Sequence, residues 1–281
     1  MAERLSYCAA EVRRADYDRF LAALFAPAGA REGLFALYAF NHEVAKVRET
    51  VSEPMLGQIR LQWWREAIDG LYAGKVRQHP VVEAMAHAAG ARPGGLSRVH
   101  FERLIDAREF DLAGRAPATL AELEAYGEGT CSTLLWLAAE VLGAGGAATD
   151  RALGALGVAW ALTGLIRAIP FHARARRQYV PLDIAAETGL TERALFALEP
   201  DAALNRSVER LAAAAGRHLD EARAGAVDPA AWPLLLLAPL ARAYLARLGR
   251  RGYDVLPGLE LPQALKVARL WWAARSGRYG R

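Results

Sequence analysis

Apolar side chains recur at three- and four-residue spacing from one end of this 281-residue chain to the other, and alternating runs of Val, Ile and Thr do not occur. That period belongs to a helix face and not to a strand, so the expected fold class is all-α. Helices are predicted over about 4–25, 31–50, 54–73, 80–89, 97–112, 120–142, 147–169, 191–197, 203–224, 232–248 and 261–275. Breakers separate them at Ala26-Pro27-Ala28-Gly29, Arg92-Pro93-Gly94-Gly95, Gly143-Ala144-Gly145-Gly146, Asp228-Pro229 and Leu256-Pro257-Gly258. None of these links is long or low in complexity, and no fixed-period repeat is present, so residues 1–281 read as one domain.

With 53% hydrophobic residues the chain can bury a sizeable core, which excludes a disordered or collagen-like chain. The net charge of +4 is carried almost entirely by arginine, since Lys46, Lys75 and Lys266 are the only lysines. Spread evenly, that charge is a weak field. Cys8 and Cys131 form no pairing pattern, which points to a reducing compartment. Glu3, Glu11, Asp16 and Asp18 lie among the first arginines and fit neither a secretory nor a transit peptide. The uncharged runs 152–166 and 229–241 fall short of the roughly 20 apolar residues of a membrane span. The expected location is cytoplasmic, with peripheral contact at the inner membrane.

Several familiar motifs fail on inspection. His42-Glu43-Val44-Ala45-Lys46 places Lys46 where a zinc site needs its second histidine. Gly143–Gly146 has no Gly-Lys-Ser/Thr behind it and reads as a connector. Glu102 and Asp106 share a helical face, but Arg103, Arg108, Glu109 and Asp111 around them give the mixed-sign pattern of a solvated face. Arginine content alone suggests nucleic acid, and neither a motif nor aromatic interleaving supports it, so no nucleic-acid partner is expected.

Two segments carry more. One is Leu37-Tyr38-Ala39-Phe40-Asn41-His42-Glu43-Val44-Ala45-Lys46-Val47-Arg48-Glu49, and the other is Leu165-Ile166-Arg167-Ala168-Ile169-Pro170-Phe171-His172 with Arg177-Gln178-Tyr179-Val180-Pro181 behind it. Together with Gln62-Trp63-Trp64-Arg65-Glu66 and Leu123-Glu124-Ala125-Tyr126 running into Gly129-Thr130-Cys131-Ser132, they resemble the squalene/phytoene synthase family over about residues 17–184. The resemblance implies the isoprenoid synthase fold, in which catalytic members join two prenyl diphosphates with magnesium held by acidic pairs on facing helices. Magnesium takes hard oxygen ligands, which carboxylates spaced by four residues supply from one helix face.

Those acids are mostly gone here. The family's first Asp-Asp-x-x-Asp falls on Ala45, Lys46 and Glu49, and its second acidic pair falls on Ala168 and His172. Pro170 lies between the latter two and is expected to kink the helix or end it near Ile169, leaving 174–184 as an extended crossing in which Asp183 caps the next helix. Arg167, Arg174, Arg176 and Arg177 bring +4 within eleven residues with no acid among them. With Tyr179 they form an anion or diphosphate site or, on the plainer reading, a solvated loop. Tyr38–Phe40 and Trp63–Trp64 read as core, or as walls of a cavity for an isoprenoid or quinone. Leu270-Trp271-Trp272 with Arg275 and Arg278 reads as a membrane-interface helix or as a helix docked on the core.

The pattern resembles most a divergent branch of the family, typified by the mitochondrial complex I assembly factor six. That branch keeps the fold, lacks the acids and assists biogenesis of the NADH:ubiquinone oxidoreductase. The resemblance therefore implies a non-catalytic helper with no cofactor, whose partners are respiratory complex assembly intermediates or membrane lipid. The alternative is an active prenyl transferase for farnesyl or geranylgeranyl diphosphate, with magnesium held by Glu49, Glu102 and Asp106.

Overall fold

The computed structural model describes residues 5–91, 95–223 and 226–277. Among them sixteen α-helices follow one another and no strand occurs. In chain order they are α1 Tyr7–Ala15, α2 Tyr17–Ala23, α3 Ala28–Ala45, α4 Pro54–Tyr72, α5 Pro80–Gly90, α6 Arg98–Ala107, α7 Glu109–Ala113 and α8 Leu120–Gly127. There follow α9 Thr133–Leu142, α10 Ala147–Arg174, α11 Leu182–Thr188, α12 Glu192–Ala197, α13 Ala202–Glu221, α14 Trp232–Leu235, α15 Leu237–Gly249 and α16 Gln263–Ser276. The expected start at Arg4, the turn at Arg92-Pro93-Gly94, the helix end at Ala224 and Arg278 lie outside the described residues.

Helix α10 is the axis of the fold and packs against α8, α9, α13 and α15. By length and composition it would cross a membrane, yet 72% of its most apolar stretch is buried inside the protein. The residues 229–249, which include α15, pass the same test and are also mostly buried. Both segments are longer than the uncharged runs suggested, because the helices extend past the charges that bound those runs. Close packing on α10 depends on Gly157, where an added Cβ would lie 2.3 Å from Ser132 Cα. Ser132 is brought there by a π-helical turn at Glu128–Ser132 between α8 and α9, so the predicted 120–142 helix is continuous but locally widened.

The structure differs from the expected boundaries at positions that shape the site. The first helix breaks at Asp16, whose non-helical backbone lets its carboxylate accept the Arg19 N–H and cap α2. The predicted 97–112 helix divides at Arg108. Pro170 does not end α10, which runs on to Arg174. Burial of Ile166, Ile169, Pro170 and Ala173 outweighs a proline cost of about 3 kcal/mol. The segment beyond opens on a sharp turn at Arg176, and Asp183, in the first turn of α11, accepts the Ile184 N–H there and also the Leu120 N–H at the start of α8.

Candidate functional site

A cavity of about 560 Å³ opens between the α1–α2 break, Arg108, the π turn, the middle of α10, Glu260 and Lys266. The break at Asp16 turns Asp18 and Arg19 inward. Arg19 pairs with Asp16 at 2.5 Å, lies 5.8 Å from the ring centres of both Tyr38 and Trp160, and reaches the Cys131 thiol at 3.5 Å. Burial alone would lower its pKa, but Asp16 holds it above the ordinary arginine value. It is a fixed cation in the cavity wall.

One side of the cavity is closed by a buried ionic cluster centred on Asp18. Lys266 Nζ lies 2.8 Å from Asp18 Oδ1, and the Tyr244 hydroxyl donates to Oδ2 at 2.7 Å. Arg167 comes within 3.4 Å of Oδ2, pairs with Glu260 at 2.8 Å and stacks 3.9 Å from the Tyr244 ring centre. The cluster ties α2, α10, α15 and α16 together through charge and not through apolar packing alone.

A second cluster fills the space between the two motif regions. Asp111 accepts from Tyr179 at 2.6 Å, and the Tyr126 hydroxyl lies 2.9 and 3.1 Å from its two oxygens. Arg108 donates to Tyr126 at 2.7 Å and to Asn41 Oδ1 at 3.3 Å, which anchors α3. The His172 ring packs against Tyr179 with centres 4.5 Å apart and planes inclined at 46°. Burial, reinforced by Arg177, pushes His172 down to about 4, so at neutral pH it adds no charge to the arginines near it.

The residues expected to form the site are only partly brought together. Ala168 and Arg167 line the cavity, and Tyr179 and His172 lie in the Asp111 cluster. Ala45 is half-buried, Lys46 is paired with Glu43 at 2.5 Å, and Glu49 is exposed. Arg174 and Arg176 are exposed and Arg177 is half-buried. Arg174 donates to the Pro170 carbonyl at 3.3 Å, while Arg176 and Arg177 cover the rings of Phe196 and Phe171. Among the described residues none of these three pairs with a carboxylate. Arg167 is separated from them in role, since its charge is matched by Asp18 and Glu260.

Glu102 and Asp106 are indeed solvated, paired with Arg98 and Arg65. The same reading fails for Arg108 and Asp111, which are half-buried and buried because the chain breaks at Arg108 and α7 turns inward. Asp18, Arg19, Tyr244, Glu260 and Lys266 stand outside the sequence motifs. A lone lysine in a helix otherwise charged by arginine is the one local sign of Lys266. Among the described residues no group of three or more His, Cys, Asp or Glu side chains is placed to hold a metal ion. With Ala45, Lys46, Ala168 and His172 at the motif positions, the hard oxygen donors of a magnesium cluster are missing and the residues do not fit one.

The sequence model of squalene/phytoene synthases matches residues 12–271. The chain belongs to the squalene/phytoene synthase family. Within this family it is 31% identical to the rat protein named NADH dehydrogenase (ubiquinone) complex I, assembly factor 6, across 97% of this chain and 82% of that one. A Drosophila melanogaster homologue of that factor is 32% identical, covering 97% of this chain and 84% of its own length. A crystal structure of a dehydrosqualene synthase in complex with a ligand superposes with a TM-score of 0.83 at 18% identity, covering 96% and 95% of the two chains. The all-α isoprenoid synthase fold expected from the motifs is therefore the fold of this family member.

Proposed function

We propose that this family member is a non-catalytic helper in biogenesis of the NADH:ubiquinone oxidoreductase, acting as one domain without a bound cofactor. One observation carries the reading: assembly-factor relatives align over nearly the whole chain, while four of the family's five acidic positions are Ala45, Lys46, Ala168 and His172 and only Glu49 keeps a carboxylate. Its partners on this reading are assembly intermediates or membrane lipid, met from the cytoplasmic side with peripheral contact at the inner membrane. An isoprenoid or quinone is the small ligand this reading allows, although Tyr38, Phe40, Trp63 and Trp64 do not line the charged cavity beside Arg19, and the exposed arginines 174 and 176 would meet an anionic group.

The test is a deletion strain assayed for NADH:ubiquinone oxidoreductase and, separately, for isoprenoid products. Loss of the first with retention of the second is expected. Loss of isoprenoid products with the oxidoreductase intact would overturn the reading.

An active prenyl transferase is the second reading, favoured by the likeness in fold to a ligand-bound dehydrosqualene synthase. Its proposed ligands Glu49, Glu102 and Asp106 offer it little, because the last two are held by Arg98 and Arg65 on the surface. Purified protein with farnesyl or geranylgeranyl diphosphate, magnesium and NADPH is expected to give no condensed product. Turnover on the order of 1 per second would establish the second reading.

A further inference from the structure

We propose that the outer face of α16 docks on the headgroup region of an anionic lipid bilayer. This docking gives the peripheral membrane contact of the proposed function a defined surface, and it stands apart from the assembly role. Helix α16 has two faces at helical spacing. Lys266, Leu270 and Ala273 are buried and fix it to the protein, with Lys266 reaching Asp18 in the cavity wall. The opposite side carries Val267, Trp271 and Trp272, and the two indoles are 58% and 49% exposed. The helix is thus docked on the core by one face and open to an interface on the other.

A solvated helix face does not ordinarily hold two adjacent tryptophans, because each keeps a large apolar surface in water. The indole suits the bilayer interface, where its ring enters the acyl boundary and its N–H stays among headgroups. The charge on this face selects the partner. Helix α16 contains no carboxylate, and Arg269 and Arg275 are exposed beside the apolar stripe. Arg275 lies over the Trp271 ring, 5.8 Å from its centre, so an anion held by the guanidinium is brought beside the indole. Between Arg247 and Arg275 six cations face two acids, and one of those, Glu260, is already paired with Arg167. A cationic, aromatic helix face complements an anionic bilayer. Another exposed apolar stripe, Met55 and Ile59 on α4, shares its groove with Arg65, Glu66 and Glu109, a mixed-sign lining without the excess of cations found on α16.

The experiment is co-sedimentation of the full chain with phosphatidylcholine vesicles and with phosphatidylcholine–phosphatidylglycerol vesicles. Binding is expected only to the mixed vesicles and should weaken as salt is raised. Trp271→Ser with Trp272→Ser should lower the partition coefficient about tenfold or more, and should abolish quenching of tryptophan fluorescence by brominated acyl chains. Both side chains are about half exposed, so thermal melts of this variant are expected to match the parent. Met55→Ser with Ile59→Ser should leave binding unchanged. The proposal is overturned by no binding of the parent chain, by equal binding of the tryptophan variant, or by loss of binding confined to the α4 variant. Concentration-dependent dimerisation that the tryptophan variant abolishes would also overturn it, assigning the face to a second copy of the chain.

Discussion

The Tyr179 hydroxyl donates a 2.6 Å hydrogen bond to Asp111, joining side chains 68 positions apart. This bond links α7 to the segment that follows α10. Tyr126 and Arg108 complete the shell around the carboxylate, so the charge of Asp111 is buried but matched. Tyr179→Phe removes one donor to a charged acceptor and is expected to cost about 1.5–3 kcal/mol. Asp111→Ala is expected to cost more, about 3–5 kcal/mol, because it strands the Arg108 guanidinium. Urea unfolding midpoints of the two variants give the order, and a larger loss for Tyr179→Phe would refute this account of the cluster.

His172 predicts a pH dependence with a definite sign. Its folded pKa is pushed down to about 4 by burial and by Arg177, against an ordinary histidine value of 6.5. Between those values the unfolded chain binds a proton that the folded chain refuses. Stability is therefore complete above about pH 6.5 and falls as the pH drops toward 4, by up to about 3 kcal/mol. His172→Phe removes the titrating group and should flatten this part of the profile. Equal losses for parent and variant between about pH 7.5 and pH 5 would show that other groups carry the effect.

The contrast between these clusters and the helices shows how far local sequence reaches. Three- and four-residue spacing is a local signal, so the all-α class and most helix positions are legible without tertiary information. The Asp111 cluster is not, because its partners come from α3, α7, α8 and the segment after α10. Residues 102–111 present the same mixed charges throughout, and only the break at Arg108 decides that Glu102 faces water while Asp111 faces Tyr179. Arg167 and Arg174 likewise read as one charge run. Packing places the first against Asp18 and leaves the second at the open end of α10.

Arg176 follows the end of α10 at a backbone φ of 54°, in the left-handed region. The Arg177 N–H returns to the His172 carbonyl at 2.9 Å and the Arg176 N–H to Ala173 at 3.0 Å, the pair of bonds that usually surrounds a glycine. A non-glycine residue there is strained by about 1 kcal/mol. Arg176→Gly is expected to raise the unfolding free energy by up to that amount, reduced by the lost contact with Phe196. If thermal melts show clear destabilisation, the arginine contact outweighs the strain.

Asp18 and Lys266 form the remaining test, because they decide whether α16 is held by charge. The pair is 2.8 Å apart, and the residues are only 4% and 5% exposed. A buried pair is scarcely screened by salt, so added salt should not release the helix. Removing one partner is another matter, since the other keeps its charge without its solvent. Lys266→Met is expected to cost about 3 kcal/mol, the low end of the range for a broken buried pair, because Tyr244 and Arg167 still face Asp18. The double change Asp18→Asn with Lys266→Met should cost less than the sum of the single changes, as the stranded carboxylate is then gone. Amide exchange locates the loss: in Lys266→Met the amides of residues 263–276 should exchange faster than those of α10. Uniform acceleration across both helices would mean that the pair supports the whole fold and not the attachment of α16.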